Sequence, residues 1–217
     1  MLKRLLFYLV LAALAACENN PYESGDSGLS YLRTDFVEAN TNADSRFVSA
    51  LTDDGEALQL ASPLSADWAT TPDSTYRALL YYNKKGETVS PIAISKVLVM
   101  DIKSADAVEV VEDPVKFNAA WLSKNRKYLN LGLGLKTGKV EGDTKLQSLG
   151  VVCDSVKTEN GVQTHYLRLH HRQNGVPEYY TTKLYVSIPI AGFRQGDILQ
   201  LRMNTYEGEV IKSFAVP

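Results

Sequence analysis

From residue 29 onward, apolar residues in this chain tend to recur at every second position, and the runs are interrupted by Gly, Pro, Asn or Asp about every ten residues. That pattern predicts an all-β protein. Leu32, Thr34 and Phe36 fall on one face of an opening strand, with Tyr31, Arg33, Asp35 and Val37 on the other. Residues 46–52 and 56–60 flank Asp53-Asp54-Gly55, where glycine supplies the positive φ of a tight hairpin. Asp53 and Asp54 therefore read as turn formers and not as an acid/base pair. An excursion at 61–74 carries Pro63, Trp68 and Pro72. Residues 75–82 and 87–94 then pair around Asn83-Lys84-Lys85-Gly86, and 97–102 adds a strand. Five or six strands within about 75 residues suit a small barrel.

The pattern changes between residues 101 and 127. An acidic stretch at 109–113 ends at Pro114, and 115–127 carries Phe117, Trp121 and Leu122 at a spacing that fits a short helix. This segment is expected to be the domain junction, with Trp121 packed into it. Beyond it, Leu129, Leu131, Leu133 and Leu135 alternate with Asn130, Gly132 and Gly134. One strand face should be buried, and the glycines should let something pack closely on the other. Strands follow at 147–156, 162–172, 178–188, 197–205 and 209–216, with a hairpin expected at Gln173-Asn174-Gly175 and a last one at Tyr206-Glu207-Gly208. Six strands in about 90 residues favour an antiparallel sandwich. The organisation read from sequence is a barrel at 29–112, a connector at 113–127 and a sandwich at 128–217.

The chain begins differently. Lys3 and Arg4 precede an uncharged apolar run at 5–14, which is too short for a bilayer span of about 20 residues. It ends in Leu14-Ala15-Ala16-Cys17, similar to the lipobox of bacterial lipoproteins. That likeness implies a signal peptide at 1–16, cleavage between Ala16 and Cys17, and acylation of Cys17. Two or three acyl chains would then hold the protein on a membrane, since one chain binds only marginally. Residues 17–28 read as a polar tether; its last eleven residues reach about 35 to 40 Å when extended. Glu18, Glu23 and Asp26 are scattered along it, so the membrane face stays open between periplasm and cell surface. Gly25-Asp26-Ser27-Gly28 copies the nucleophile signature of trypsin-like proteases. A tether cannot hold a serine against a base, however, and no histidine precedes His165.

Other candidate chemistry is weak. His165 and His171 share a strand face but lie about 20 Å apart, and His170 points to the opposite face, so they read as surface or strand-end residues and no metal site is expected. Gly132 to Val140 hints at a phosphate loop but has Leu133 and Val140 where glycine and Ser or Thr belong; Lys136 and Lys139 then read as loop charges. Cys153 sits beside Val151 and Val152 and reads as a buried, inert strand thiol, with an intermolecular disulfide the alternative if it is exposed and a nucleophile the alternative if a nearby cation lowers its pKa. Tyr81 or Tyr82 with Tyr179 or Tyr180 offers a platform for glycans or peptides, although these rings equally suit cores and strand borders.

Composition narrows the class. With 217 residues, 45% hydrophobic, 22% charged and a net charge of -2, the chain is neither disordered nor a basic nucleic-acid binder. Loss of residues 1–16 removes two basic residues and no acid, giving -4, so nucleic acid is not an expected partner. The lipobox, the tether, Tyr31-Leu32-Arg33-Thr34-Asp35-Phe36-Val37, the Asp-Asp-Gly hairpin and Tyr76-Arg77-Ala78-Leu79-Leu80-Tyr81-Tyr82 resemble the NigD-like lipoproteins of anaerobic Gram-negative bacteria. Leu167-Arg168-Leu169-His170-His171, Asn174-Gly175 and Pro177-Glu178-Tyr179-Tyr180 are similar to that family's C-terminal domain.

The resemblance implies an oligonucleotide/oligosaccharide-binding type (OB) barrel followed by a β-sandwich. Through the bacteriocin gene cluster behind the family's name, it also implies an immunity-type role as one alternative. It supplies no catalytic residue. The functional expectation is a non-enzymatic envelope protein without a cofactor, anchored to the outer membrane through Cys17, that binds an unknown protein, peptide or glycan. An enzyme with a dispersed active site is the other alternative.

Overall fold

The computed structural model describes residues 31–142 and 144–217, so the signal, the Ala16–Cys17 junction, the tether and Ser27 lie outside the described residues. Five strands, β1 (Leu32–Thr41), β2 (Phe47–Thr52), β3 (Ala57–Leu64), β4 (Thr75–Lys85) and β5 (Thr88–Lys96), close into a barrel in the order β1-β2-β3-β5-β4. Gly55 adopts a φ of 84° in the β2–β3 hairpin, as its turn chemistry requires. Val37, Ala39, Phe47, Leu58, Leu80 and Tyr82 fill the interior. The fully buried Tyr82 donates its hydroxyl to Asp35 at 2.7 Å, and burial together with that carboxylate raises its pKa. The alternation predicted for β1 holds, but its Val37 face is the one turned inward; Phe36 points away from the barrel.

The remaining strands are β6 (Leu98–Val99), β7 (Ile102–Ser104), β8 (Lys116–Leu122), β9 (Tyr128–Thr137), β10 (Ser148–Glu159), β11 (Val162–Arg172), β12 (Tyr180–Pro189), β13 (Ile198–Thr205) and β14 (Gly208–Ala215). They form two facing sheets, β14-β13-β11-β10-β7 and β6-β12-β9-β8, around Leu129, Leu131, Leu133, Leu167, Leu199 and Leu201.

Four expectations are corrected. The sandwich begins at residue 98, because the predicted strand at 97–102 splits into β6 and β7, one in each sheet. The segment expected to be helical is strand β8. A bulge between Phe117 and Ala119 breaks the alternation, so that Phe117, Ala120 and Leu122 face the core while Trp121 faces the barrel, and the helix-like spacing of Phe117, Trp121 and Leu122 comes from two faces of a strand. The turn at Asn174-Gly175, with φ of 53° and 68°, reverses the chain but makes no hairpin, because β12 crosses to the opposite sheet and pairs with β9. As a result β13 returns beside β11 in parallel, and with β6–β12 and β7–β10 also parallel the sandwich is mixed, not antiparallel.

The barrel docks on the outer face of the four-stranded sheet. Arg77 on β4, 6% exposed, forms a bidentate pair with Asp53 at 2.6 and 2.7 Å. It also donates to Ser187 Oγ at 3.0 Å and Asn130 Oδ1 at 3.2 Å across the junction. Asn125 from the β8–β9 turn donates to Asp53 at 3.1 Å, and Lys124 reaches Asp54 at 2.7 Å. Burial alone would raise the Glu38 carboxyl, but hydrogen bonds from Lys127 and Tyr128 bring its pKa below the ordinary value. Burial and Glu38 in turn push the Tyr128 hydroxyl up to about 12. Phe36 packs edge-on against Trp121 at 5.4 Å and Tyr185 at 5.2 Å, so Trp121 does sit in the junction. Tyr185 lies over Gly132, where a Cβ would meet its ring at 3.3 Å, and this is the close packing the glycines of β9 permit.

Candidate binding groove

One end of the sandwich holds an open groove of about 600 Å³. Leu135 of β9, Leu184 of β12, Val176, Pro177, Leu146 and Tyr180 give it an apolar lining, with Lys139 and Lys145 also on its wall. Leu146 is 79% exposed and the adjacent Tyr179 is 70% exposed, large apolar surfaces that a folded chain usually covers.

The wall is braced by hydrogen bonds. Gln147 donates to the Lys136 carbonyl at 2.7 Å, and Gln173 donates to the same carbonyl at 3.0 Å and to that of Val176 at 2.9 Å. Asn174 donates to the Leu146 carbonyl at 2.7 Å. Behind them His171, 1% exposed, sets Nδ1 3.0 Å from the Asp113 carbonyl and Nε2 3.1 Å from Gln147 Oε1. Tyr179 lies so close over Gly138 that a Cβ there would come within 2.7 Å of its ring. The groove wall is thus held by the chain's own hydrogen bonds, and among the described residues the ionisable groups that line it are two lysines and a tyrosine.

The sequence candidates scatter around this site. His171 is a buried brace and no surface histidine. His165 packs on Phe193, with its Nε2 3.4 Å from Asp197. His170 accepts the Val111 amide at 2.9 Å, and burial, followed by the Arg172 charge, lowers its pKa. Among the described residues no group of three or more His, Cys, Asp or Glu could hold a metal ion. Burial pushes the Cys153 thiol up, toward its less reactive form. Lys136 belongs to β9 and pairs with Glu178 at 3.1 Å, while Lys139 lines the groove. The four tyrosines do not make one platform. Tyr82 fills the barrel core and Tyr81 is half-buried on the barrel, whereas Tyr180 lines the groove beside Tyr179. Sequence reading missed Leu146, an isolated apolar residue in the polar stretch 141–148, and that isolation was the available signal.

The whole is a two-domain all-β architecture, a five-stranded OB-type barrel clasped to a mixed sandwich. The chain belongs to the NigD-like family: the model of the NigD-like C-terminal beta sandwich domain matches residues 98–216, more than half of its length. The match begins at the first residue of β6, where the structure also places the start of the sandwich. The chain is similar to a NigD-like immunity protein from Bacteroides caccae, with 23% identity over 85% of this chain and 97% of that one and a TM-score of 0.66. It is similar to a protein of unknown function from Bacteroides vulgatus, with 16% identity, coverage of 86% and 91%, and a TM-score of 0.62. A protein provisionally named a lipoprotein from Bacteroides fragilis shares 12% identity over 86% and 98%, with a TM-score of 0.58. At these identities the likeness is one of fold. No curated protein matches the chain by sequence.

Proposed function

We propose that this protein is a lipid-anchored component of the cell envelope that works by binding, with the groove at the end of its sandwich as the contact site. The observation that carries the reading is the apolar groove flanked by exposed Leu146 and Tyr179, on which the described residues place no paired acid, base and nucleophile. The Leu14-Ala15-Ala16-Cys17 sequence supplies the anchor, and the provisional lipoprotein name of the Bacteroides fragilis relative is in keeping with it. The name of the Bacteroides caccae relative favours a second reading, in which the bound partner is a bacteriocin and the protein protects its host.

Two measurements test the proposal in cells. Alkyne-fatty-acid labelling is expected on the wild type and lost in Cys17→Ala; equal labelling of both sinks the anchor. A photo-crosslinking residue placed at Leu146 is expected to trap a discrete partner that the same residue at Asp44, exposed on the barrel, does not. No difference between the two positions removes the groove as the contact site. Deleting the gene and challenging with producer strains separates the second reading, since unchanged sensitivity is incompatible with immunity.

A further inference from the structure

β12 pairs with β9 along all ten of its residues on one side. On its other side β6 covers only Val186 and Ser187. The Ser187 carbonyl accepts the Met100 amide at 3.0 Å, which fixes the phase of the strand. Residues in step with Ser187, namely Thr181, Lys183 and Tyr185, therefore turn N–H and C=O toward that same side. Among the described residues no strand pairs with them there. The bare edge from 180 to 185 extends about 20 Å and leads directly into the line already occupied by β6.

The inward side chains of the same stretch, Tyr180, Thr182 and Leu184, line the groove. Edge and groove are thus one feature, a row of unused backbone hydrogen-bonding groups above an apolar trough. An exposed edge of this kind invites strand addition. Among the described residues the charge beside it is basic: Lys183 stands on the exposed edge and Lys139 on the groove, while Glu178 is engaged by Lys136.

We propose that the 180–185 edge of β12 captures an extended acidic segment of another polypeptide as an added strand, continuing the line of β6, with every second, apolar side chain seated in the groove. A second copy of this chain fits less well, because a two-fold pairing of β12 edges centred on Lys183 sets Lys183 against its own equivalent, and like charges placed opposite each other repel. The proposal rests on the binding role given above and names the chemistry of the partner.

The test uses the full chain in detergent and a synthetic seven-residue peptide with valine at alternate positions and aspartate or glutamate between. The peptide is expected to saturate the protein in fluorescence anisotropy and to slow amide exchange at Thr181, Lys183 and Tyr185. A counterpart with lysine in place of the acids should bind about tenfold more weakly. Lys183→Pro removes one outward N–H without touching the β9 ladder, and Thr182→Trp fills the groove. Each should weaken the acidic peptide at least about tenfold, and Thr182→Trp decides the matter if the proline variant unfolds.

No saturation at millimolar peptide, unchanged exchange of the three amides at saturation, or wild-type affinity in Thr182→Trp overturns the proposal. So does a concentration-dependent dimer that Lys183→Pro abolishes, since the occupant is then a second copy. Crosslinking at Leu146 without peptide capture at the edge refutes strand addition and leaves the binding role standing. Absence of that crosslink removes the groove as the contact site and the strand-addition proposal with it.

Discussion

The four-stranded sheet meets the rest of the molecule in two contrasting ways. On its outer face the barrel presses Arg77 onto Ser187 and Asn130, and Phe36 onto Trp121 and Tyr185, so that charge, hydrogen bonds and aromatic surface are all matched. Along the edge of β12 itself, backbone groups at Thr181, Lys183 and Tyr185 face outward with no strand beside them among the described residues, and Leu146 lies open across the groove. The first surface is a contact completed within one chain. The second has the same ingredients, unused strand edge and apolar side chains, with the complement missing. The contrast separates surface that the fold itself covers from surface that the fold leaves open.

The largest expected effect tests the completed contact. Arg77 and Asp53 are 2% and 13% exposed in their side chains, so removing the guanidinium strands a nearly buried carboxylate. Arg77→Met is expected to cost about 3 to 5 kcal/mol in urea unfolding, and adding Asp53→Leu should restore part of it. A loss under about 1 kcal/mol would make the pair equivalent to a surface salt bridge and dissolve the contrast.

Next comes the packing beneath the clasp. A valine at Gly132 meets the Tyr185 ring, which Phe36 and Trp121 hold from the other side. Gly132→Val is expected to cost about 1 to 3 kcal/mol and to change tryptophan emission as Trp121 shifts. Unaltered emission and stability would show that the barrel rests loosely on the sheet.

How much of this was readable beforehand depended on whether a feature is local. Turns came through because glycine at Gly55 and the Asn174-Gly175 pair act on their own neighbours. β8 did not, because a bulge breaks its alternation and its apolar residues serve two faces: Phe117 and Leu122 turn to the sandwich core and Trp121 to the barrel, yet in the sequence the three read as one helical stripe. The Asn-Gly signal fixed a reversal of the chain but not the sheet to which the next strand would go. Arg77 stood in the apolar run Ala78-Leu79-Leu80 as a charge in a strand buried on both faces, a visible anomaly whose partners lie 24 to 110 residues away. The bare edge of β12 was unreadable, since it depends on β6 being two residues long where β12 has ten.

A smaller effect belongs to the open side, where His170 lines a second hollow with Leu98, Val99 and Val151. Burial and Arg172 lower its pKa from the ordinary 6.5, and the Val111 amide donates to Nδ1, a bond that protonation there would break. The unfolded chain therefore takes up the proton more readily than the folded one. The stabilisation is complete above pH 6.5 and is lost as the pH falls through the lower folded value. Urea midpoints are expected to decline from pH 7.5 to 5.5, with a shallower decline in His170→Gln. Parallel curves for the two proteins would assign the decline to other groups.

The smallest expected change in stability is the one that most sharpens the comparison. Leu146 is 79% exposed, so Leu146→Ser deletes little buried surface and should leave the unfolding free energy within about 0.5 kcal/mol of wild type. The side chain nonetheless forms part of the groove wall, and its loss removes apolar area that an inserted residue would cover. Capture of the alternating acidic peptide is therefore expected to weaken by about fivefold to thirtyfold, the equivalent of about 1 to 2 kcal/mol of buried leucine surface. At the clasp, stability and contact fall together, because each group there is part of the folded core. At the groove they should come apart. A Leu146→Ser protein that is destabilised as much as it is weakened in binding would place Leu146 in the fold's own packing, and the two surfaces of the sheet would then differ in degree and no longer in kind.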